Sequence, residues 1–115
     1  MRILIVDDEP EILTIVSKWL AAKGHQAFKA SDPDRALQIV ESVDLQLVLL
    51  DLVMPKISGL SLIHRIHAKK PDLPLIVMSV IEDTRVAVLA AQEGVEGYLT
   101  KPIDFERLDE LLKTL

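Results

Sequence analysis

Leu47-Val48-Leu49-Leu50-Asp51 is a short apolar run that ends on a carboxylate. It is too short for a helix and apolar on both faces, as expected of a strand covered on both sides of a parallel sheet. Arg2-Ile3-Leu4-Ile5-Val6 and Leu75-Ile76-Val77-Met78 read the same way, and Gln26–Ala30 and Gly97–Thr100 are weaker strand candidates. Five segments of helical period lie between and after these runs. Pro10 opens the first, at a position where its missing N–H does no harm, and Gly24 ends it. Ile12, Leu13, Val16, Trp19 and Leu20 share one face, with Trp19 expected to help cover the sheet. Ser31 or Asp32 caps the second, which turns Ala36, Leu37 and Val40 inward. Ser58 is the candidate cap of the third, which carries Leu62, Ile63 and Ile66 and stops before Pro71. Asp83 is the candidate cap of the fourth, running through Ala87 and Ala91 to Gly94. Asp104 is the candidate cap of the last, with Phe105, Leu108, Leu111, Leu112 and Leu115 at helical spacing.

This alternation predicts an α/β fold: a doubly wound, five-stranded parallel sheet with five helices. Composition agrees. The 115 residues suit one domain, read as 1–115 without repeat, linker or low-complexity segment, and half of them are apolar. The chain has no cysteine, which excludes disulfides and thiolate metal sites and suits a reducing cytoplasm. The net charge of -5 argues against direct binding of nucleic acid by this domain. No secretory pattern opens the chain and no apolar stretch approaches a membrane span. The chain runs about one helix past Lys101, where such a fold is expected to close.

In a parallel α/β sheet the ligand sits beyond the carboxyl ends of the strands. Asp7-Asp8-Glu9 follows the first strand, Asp51 ends the third, Ser79 the fourth, and Lys101-Pro102 follows the fifth. Asp7, Asp8 and Asp51 supply hard oxygen ligands that suit Mg²⁺. Their mutual repulsion calls for compensating positive charge, which a metal and a lysine provide. An aspartate is a competent nucleophile toward phosphorus, and a hydroxyl can hold a phosphoryl oxygen. Each residue alone has a plainer reading: Asp7-Asp8 as a solvated turn or helix start, Ser79 as structural, Lys101 as a surface lysine. Their joint placement at successive strand ends carries the signal. Strand alternation leaves the sheet order open, so that the four ends meet is an expectation.

Asp7-Asp8, Asp51-Leu52-Val53-Met54-Pro55 with Gly59, Ser79 and Lys101-Pro102 together resemble the receiver domain of two-component response regulators, over essentially the whole chain. The resemblance implies a flavodoxin-like (βα)5 fold and a phosphorylation-activated signalling switch. It implies Asp51 as phosphoacceptor, with Lys101 pairing with the phosphoryl group and Ser79 hydrogen-bonding one of its oxygens. It implies Mg²⁺ held by Asp8, Asp51 and the backbone carbonyl of Val53, with Asp7 acting through water. Tyr98 matches an aromatic switch position, and Lys101-Pro102 a bond that is usually cis. The implied partners are a histidine kinase or phosphotransfer protein and a downstream output domain or protein; a homodimer is left open. The output face would be the fourth helix, fifth strand and fifth helix, where Arg85, Glu93, Glu96 and Arg107 are candidate exposed charges. Such a domain catalyses only its own phosphorylation and dephosphorylation.

The chain also departs from the family's common pattern. Val80 stands where alanine or glycine is frequent, and a bulkier side chain there is expected to narrow access to Asp51. Val53 and Ile81 are apolar where polar groups often influence the attacking water, which predicts slow self-dephosphorylation. Three other functions compete. A pseudo-receiver would use the fold as a binding module without phosphorylation, against which the intact acids and Lys101 argue. A phosphatase with an aspartyl-phosphate intermediate commonly needs a second acid two residues after the nucleophile, where Val53 stands. A nucleotide-binding module would show a glycine-rich phosphate loop, whereas the first βα turn here is acidic. His64 and His67, i and i+3 on a helix, lack a third ligand and read as surface residues.

Overall fold

The computed structural model describes residues 1–54, 57–80, 88 and 91–115. Five parallel strands, β1 (Arg2–Val6), β2 (Gln26–Ala30), β3 (Leu47–Asp51), β6 (Leu75–Ser79) and β7 (Gly97–Thr100), form one sheet in the order β2-β1-β3-β6-β7. The chain runs outward from β1 to β2, then returns to place β3 on the other side of β1. That reversal opens a crevice at the carboxyl ends of β1 and β3. Between β3 and the third helix, β4 (Val53–Met54) and β5 (Ile57–Ser58) form a small antiparallel pair that the sequence pattern did not signal.

Strand periodicity divides the core into two layers. Leu4, Val6, Val48, Leu50, Leu75 and Val77 face one side, packed with Ala36, Ile39 and Val40 of α2 (Pro33–Ser42) and Leu62, Ile63 and Ile66 of α3 (Gly59–Lys69). Ile3, Ile5, Leu47, Leu49, Ile76, Met78 and Leu99 face the other. There they meet Leu13, Val16 and Leu20 of α1 (Pro10–Ala22) and Leu108, Leu111 and Leu112 of α4 (Phe105–Lys113). Each such aliphatic side chain contributes about 1.5–3 kcal/mol on burial, so β1, β3 and β6 are rigid supports for whatever follows them.

The helix ends largely follow their expected chemistry. Asp32, rather than Ser31, caps α2 by accepting the Arg35 N–H at 2.9 Å. Asp104 caps α4 by accepting from Glu106 and Arg107 N–H. Gly24, at φ +89°, ends α1 in the left-handed conformation that glycine permits. Ser58 lies in β5 and α3 begins at Gly59. Trp19 is half-buried and packs on Phe105 with ring centroids 5.2 Å apart, so it ties α1 to α4 as well as covering the sheet. Leu115 falls beyond α4 and is exposed, because the helix ends at Lys113.

Five helices are expected from the sequence and four appear as elements among the described residues. The fourth expected helix, with its cap Asp83 and Ala87, lies largely outside the described residues, although Val88, Ala91 and Gln92 are helical. Arg85, Ile81 and Pro55 also lie outside them.

Gly59 lies tightly against the backbone of Leu52. A Cβ there would fall 2.5 Å from Leu52 Cα and 2.8 Å from Leu52 O, the carbonyl that accepts the Gly59 N–H. Because that neighbour is backbone directly after Asp51, it cannot swing aside. Gly59→Ala is expected to destabilise the domain by about 1–3 kcal/mol in a urea melt, the usual cost of overpacking. An unchanged midpoint would show that the turn after β3 yields freely.

Candidate functional site

Three side chains meet because of the same strand alternation. Asp7 follows Ile3 and Ile5, Asp51 follows Leu47 and Leu49, and Lys101 follows Leu99, all on the α1/α4 side of the sheet. The ladder also extends past the strand ends: Asp7 N–H donates to Ala30 O at 3.1 Å and Lys101 N–H to Ser79 O at 2.9 Å. The Lys101 ammonium then reaches Asp7 Oδ2 at 2.6 Å, Asp51 Oδ2 at 3.1 Å and Glu9 Oε1 at 3.1 Å. Its side chain is only 5% exposed. The Lys101-Pro102 bond that follows is cis.

Backbone donors fix the two buried acids. Asp51 Oδ1 accepts the Val53 N–H at 2.9 Å, and Asp7 Oδ1 accepts the Glu9 N–H at 2.9 Å. Asp7 thereby satisfies the residue that precedes α1, whose own side chain caps nothing. Asp7 Oδ2 is different. Its approach to Lys101 is an ion pair without hydrogen-bond geometry, so it is a buried oxygen with no hydrogen-bond donor. A buried carboxylate oxygen in that condition is costly unless further positive charge arrives.

That charge has a place to go. Ligand oxygens of Asp7, Asp8, Glu9 and Asp51 all lie within 4.8 Å of one another, two acids buried and two exposed. The donor set is all hard oxygen with an open side, which fits a divalent cation such as Mg²⁺ that keeps several waters. The electrostatics agree. Burial pushes the Asp7 carboxyl above the usual aspartate range, against the pull of Lys101 and the Glu9 N–H, and the nearby Asp51 adds to the rise. For Lys101, burial opposes the charge, but the close carboxylates of Asp7, Asp51 and Glu9 outweigh it and hold its pKa above that of an ordinary lysine.

The remaining sequence-predicted residues fall around this centre. Ser79 is fully buried at the end of β6, opposite Thr100 in register and one residue past the Asp51–Met78 pair. It continues the column of Leu75 and Val77, so it approaches from the sheet face opposite Lys101. Tyr98 is half-buried, beside Val77 in register, against the α2/α3 core. Val53 and Val80 are exposed at 48% and 65%. His64 is exposed, as expected of a surface residue, and its Nε2 pairs with Glu93 Oε2 at 2.6 Å. Glu93, a candidate exposed charge, is half-buried and paired with His64 of α3, whereas Glu96 and Arg107 are exposed. Glu9 also joins the site, although the sequence assigns it no role. Its signal was its position as a third consecutive acid directly before a helix-opening proline.

Comparison with known proteins agrees with this geometry. The family model described as response regulator receiver domain matches residues 3–113, and the chain belongs to that family. The chain is 38% identical over 106 residues to the DNA-binding transcriptional regulator NtrC of Azospirillum brasilense, covering 92% of this chain and 22% of that protein. A response regulator receiver protein from Pseudomonas putida superposes with TM-score 0.94 at 31% identity, covering 99% of this chain and 96% of the other. The Thermotoga maritima response regulator TrrA, solved in complex with Mg²⁺-BeF, superposes with TM-score 0.87 at 33% identity, covering 98% and 96%. The chain spans about half or less of the length of the first curated relatives it matches. No helix among the described residues is long and apolar enough to cross a membrane.

Two outcomes follow from the charge balance. Because the folded pKa of Asp7 is raised, its stabilising contribution is complete below the unfolded value of 3.8 and is lost as pH rises through the folded value. At neutral pH the charged Asp7 therefore costs stability. Metal-free Asp7→Asn, which keeps the Oδ1 acceptor, is expected to be more stable than wild type at pH 7 by about 1 kcal/mol, with the advantage fading toward pH 3. Denaturant melts at the two pH values, without and with Mg²⁺, test this; Mg²⁺ should favour the wild type. Lys101 has the same sign at the other end of the scale: its contribution is complete below 10.5 and is lost only above that. Lys101→Ala leaves three carboxylates without their shared cation and is expected to cost about 3 kcal/mol without metal at pH 7. A loss below about 0.5 kcal/mol would show that water can replace the ammonium.

Proposed function

We propose that residues 1–115 form one receiver domain that accepts a phosphoryl group on Asp51 from a phosphohistidine of a histidine kinase or phosphotransfer protein. The observation that carries this is a buried carboxylate, Asp51, held at one oxygen by the Val53 N–H and at the other by the Lys101 ammonium. A carboxylate so oriented is a positioned nucleophile. Its oxygen bonds to phosphorus as the bond from phosphorus to the imidazole nitrogen breaks, and the imidazole leaves with the electron pair. Asp8, Asp51 and the Val53 carbonyl would hold Mg²⁺, with Asp7 acting through a bound water. When bound, the ion neutralises charge on the phosphoryl oxygens. Lys101 pairs with one phosphoryl oxygen and Ser79 with another, drawing the ends of β6 and β7 toward Asp51. Tyr98, two residues along β7 from Thr100, is the switch that reports this movement to an output domain or protein. The Mg²⁺-BeF complex of TrrA supports the same metal and a phosphoryl-like group here. The greater length of the curated relatives supports an output partner. The domain works in the cytoplasm, catalyses only its own phosphorylation and dephosphorylation, and contacts nucleic acid only through a partner.

Val53 and Ile81 carry no polar group to orient a water toward the phosphoryl bond, and the bulk of Val80, directly after β6, narrows access to Asp51. The phosphorylated form is therefore long-lived. Incubation with Mg²⁺ and acetyl phosphate, followed by intact mass, should add one phosphoryl group to the wild type. None should be added to Asp51→Asn or without Mg²⁺. The adduct should persist for minutes; decay in seconds would contradict the role given to Val53, Ile81 and Val80. Failure with a phosphohistidine partner as well, together with absent Mg²⁺ binding, would move the reading to a constitutive protein-binding module.

A further inference from the structure

Lys101 has three N–H donors and three carboxylates around its nitrogen: Asp7 at 2.6 Å, Asp51 at 3.1 Å and Glu9 at 3.1 Å. Asp51 and Glu9 each accept one of its N–H groups and Asp7 pairs with it as an ion, so three carboxylates crowd the ammonium before any phosphoryl group arrives. To pair with a phosphoryl oxygen it must release one of the three. Asp7 is fully buried, so separation would take the ammonium away from Oδ2, which accepts no hydrogen bond. Asp51 is the acceptor itself and stays beside the lysine through transfer. Glu9 has a side chain 56% exposed and can turn into solvent at little cost.

We propose that Glu9 is a positioning residue whose carboxylate occupies the Lys101 donor that the phosphoryl oxygen later takes. This rests on the phosphoacceptor reading of Asp51 and adds a resting-state competitor to it. In the unmodified protein Glu9 holds the ammonium at the mouth of the site and keeps it from folding wholly onto Asp7 and Asp51. On phosphoryl binding the Glu9–Lys101 pair exchanges for a phosphoryl–Lys101 pair, and Glu9 enters water. The exchange lowers affinity for the phosphoryl group, so Glu9 sets how readily the domain switches.

The test uses beryllofluoride as phosphoryl surrogate and acetyl phosphate as donor, each at Mg²⁺ saturating for the protein measured. Mg²⁺ affinity is determined separately by titration. Glu9→Gln should bind beryllofluoride about two- to fivefold more tightly and take up phosphoryl faster, the size expected when an exposed competing ion pair is removed. Glu11→Gln is the control. It removes the same charge two residues away, from an exposed side chain that no ion pair joins to Lys101. It should leave both quantities at wild-type values. An equal gain in Glu11→Gln would overturn the inference in favour of general charge repulsion, and no gain or a loss in Glu9→Gln would overturn it directly. Wild type that takes up neither probe, accepts nothing from a phosphohistidine partner and binds no Mg²⁺ overturns the phosphoacceptor reading and this inference with it.

Discussion

Everything at the carboxyl edge of the sheet depends on one ammonium group. Lys101 holds Asp7, Glu9 and Asp51 within 3.1 Å of a single nitrogen, in a position almost closed to water. Without it the converging acids would repel one another across a poorly solvated gap. The apolar strands behind them resist that repulsion. Leu49 and Leu50 of β3 and Ile5 and Val6 of β1 are fully buried, so the ends of those strands cannot spread to relieve the charge. Rigid apolar support therefore makes a concentrated polar site possible, and the lysine makes it tolerable.

The balance is left incomplete, and the deficit is specific. Asp7 Oδ2 is buried without a hydrogen-bond donor, while Asp8 and Glu9 stay exposed beside it. One cation cannot satisfy three carboxylates and also leave a donor for a ligand. The site thus gains from a second positive charge, the more so because burial holds the Asp7 carboxyl above the usual aspartate range.

Much of this was legible in the sequence because parallel strands buried on both faces announce themselves. Leu47–Leu50 and Leu75–Met78 have no polar alternation to confuse with a surface strand, and each is followed directly by a polar residue, Asp51 or Ser79. Asp51, Asp7, Asp8 and Lys101 could be selected as strand-end residues without knowing which strands touch. Sheet order could not be read, since both-face burial makes β1, β3 and β6 look alike; pairing is decided by crossover geometry. The β4–β5 pair was hidden because two-residue strands carry no periodicity. Glu9 was hidden for a different reason. A third acid before a helix reads as helix-dipole chemistry, and only the path of Lys101 across 92 residues of sequence gives it another partner.

The two faces of the sheet give the site its direction. Asp7 and Lys101 reach Asp51 from the α1/α4 side, following Ile5 and Leu99. Ser79 and Tyr98 belong to the columns that face α2 and α3. A group added to Asp51 that engages both Lys101 and Ser79 must pull on adjacent strands, β7 and β6, from opposite faces. Those strands are joined in register from Ile76–Gly97 to Ser79–Thr100, so a shift at their ends acts on the segment that carries Tyr98. The core behind is close-packed and does not deform smoothly, so such a displacement is resolved by side chains changing place at its margin. Tyr98 is half-buried on that margin, at the edge strand of the sheet, where a small movement beside Asp51 can become a change of surface.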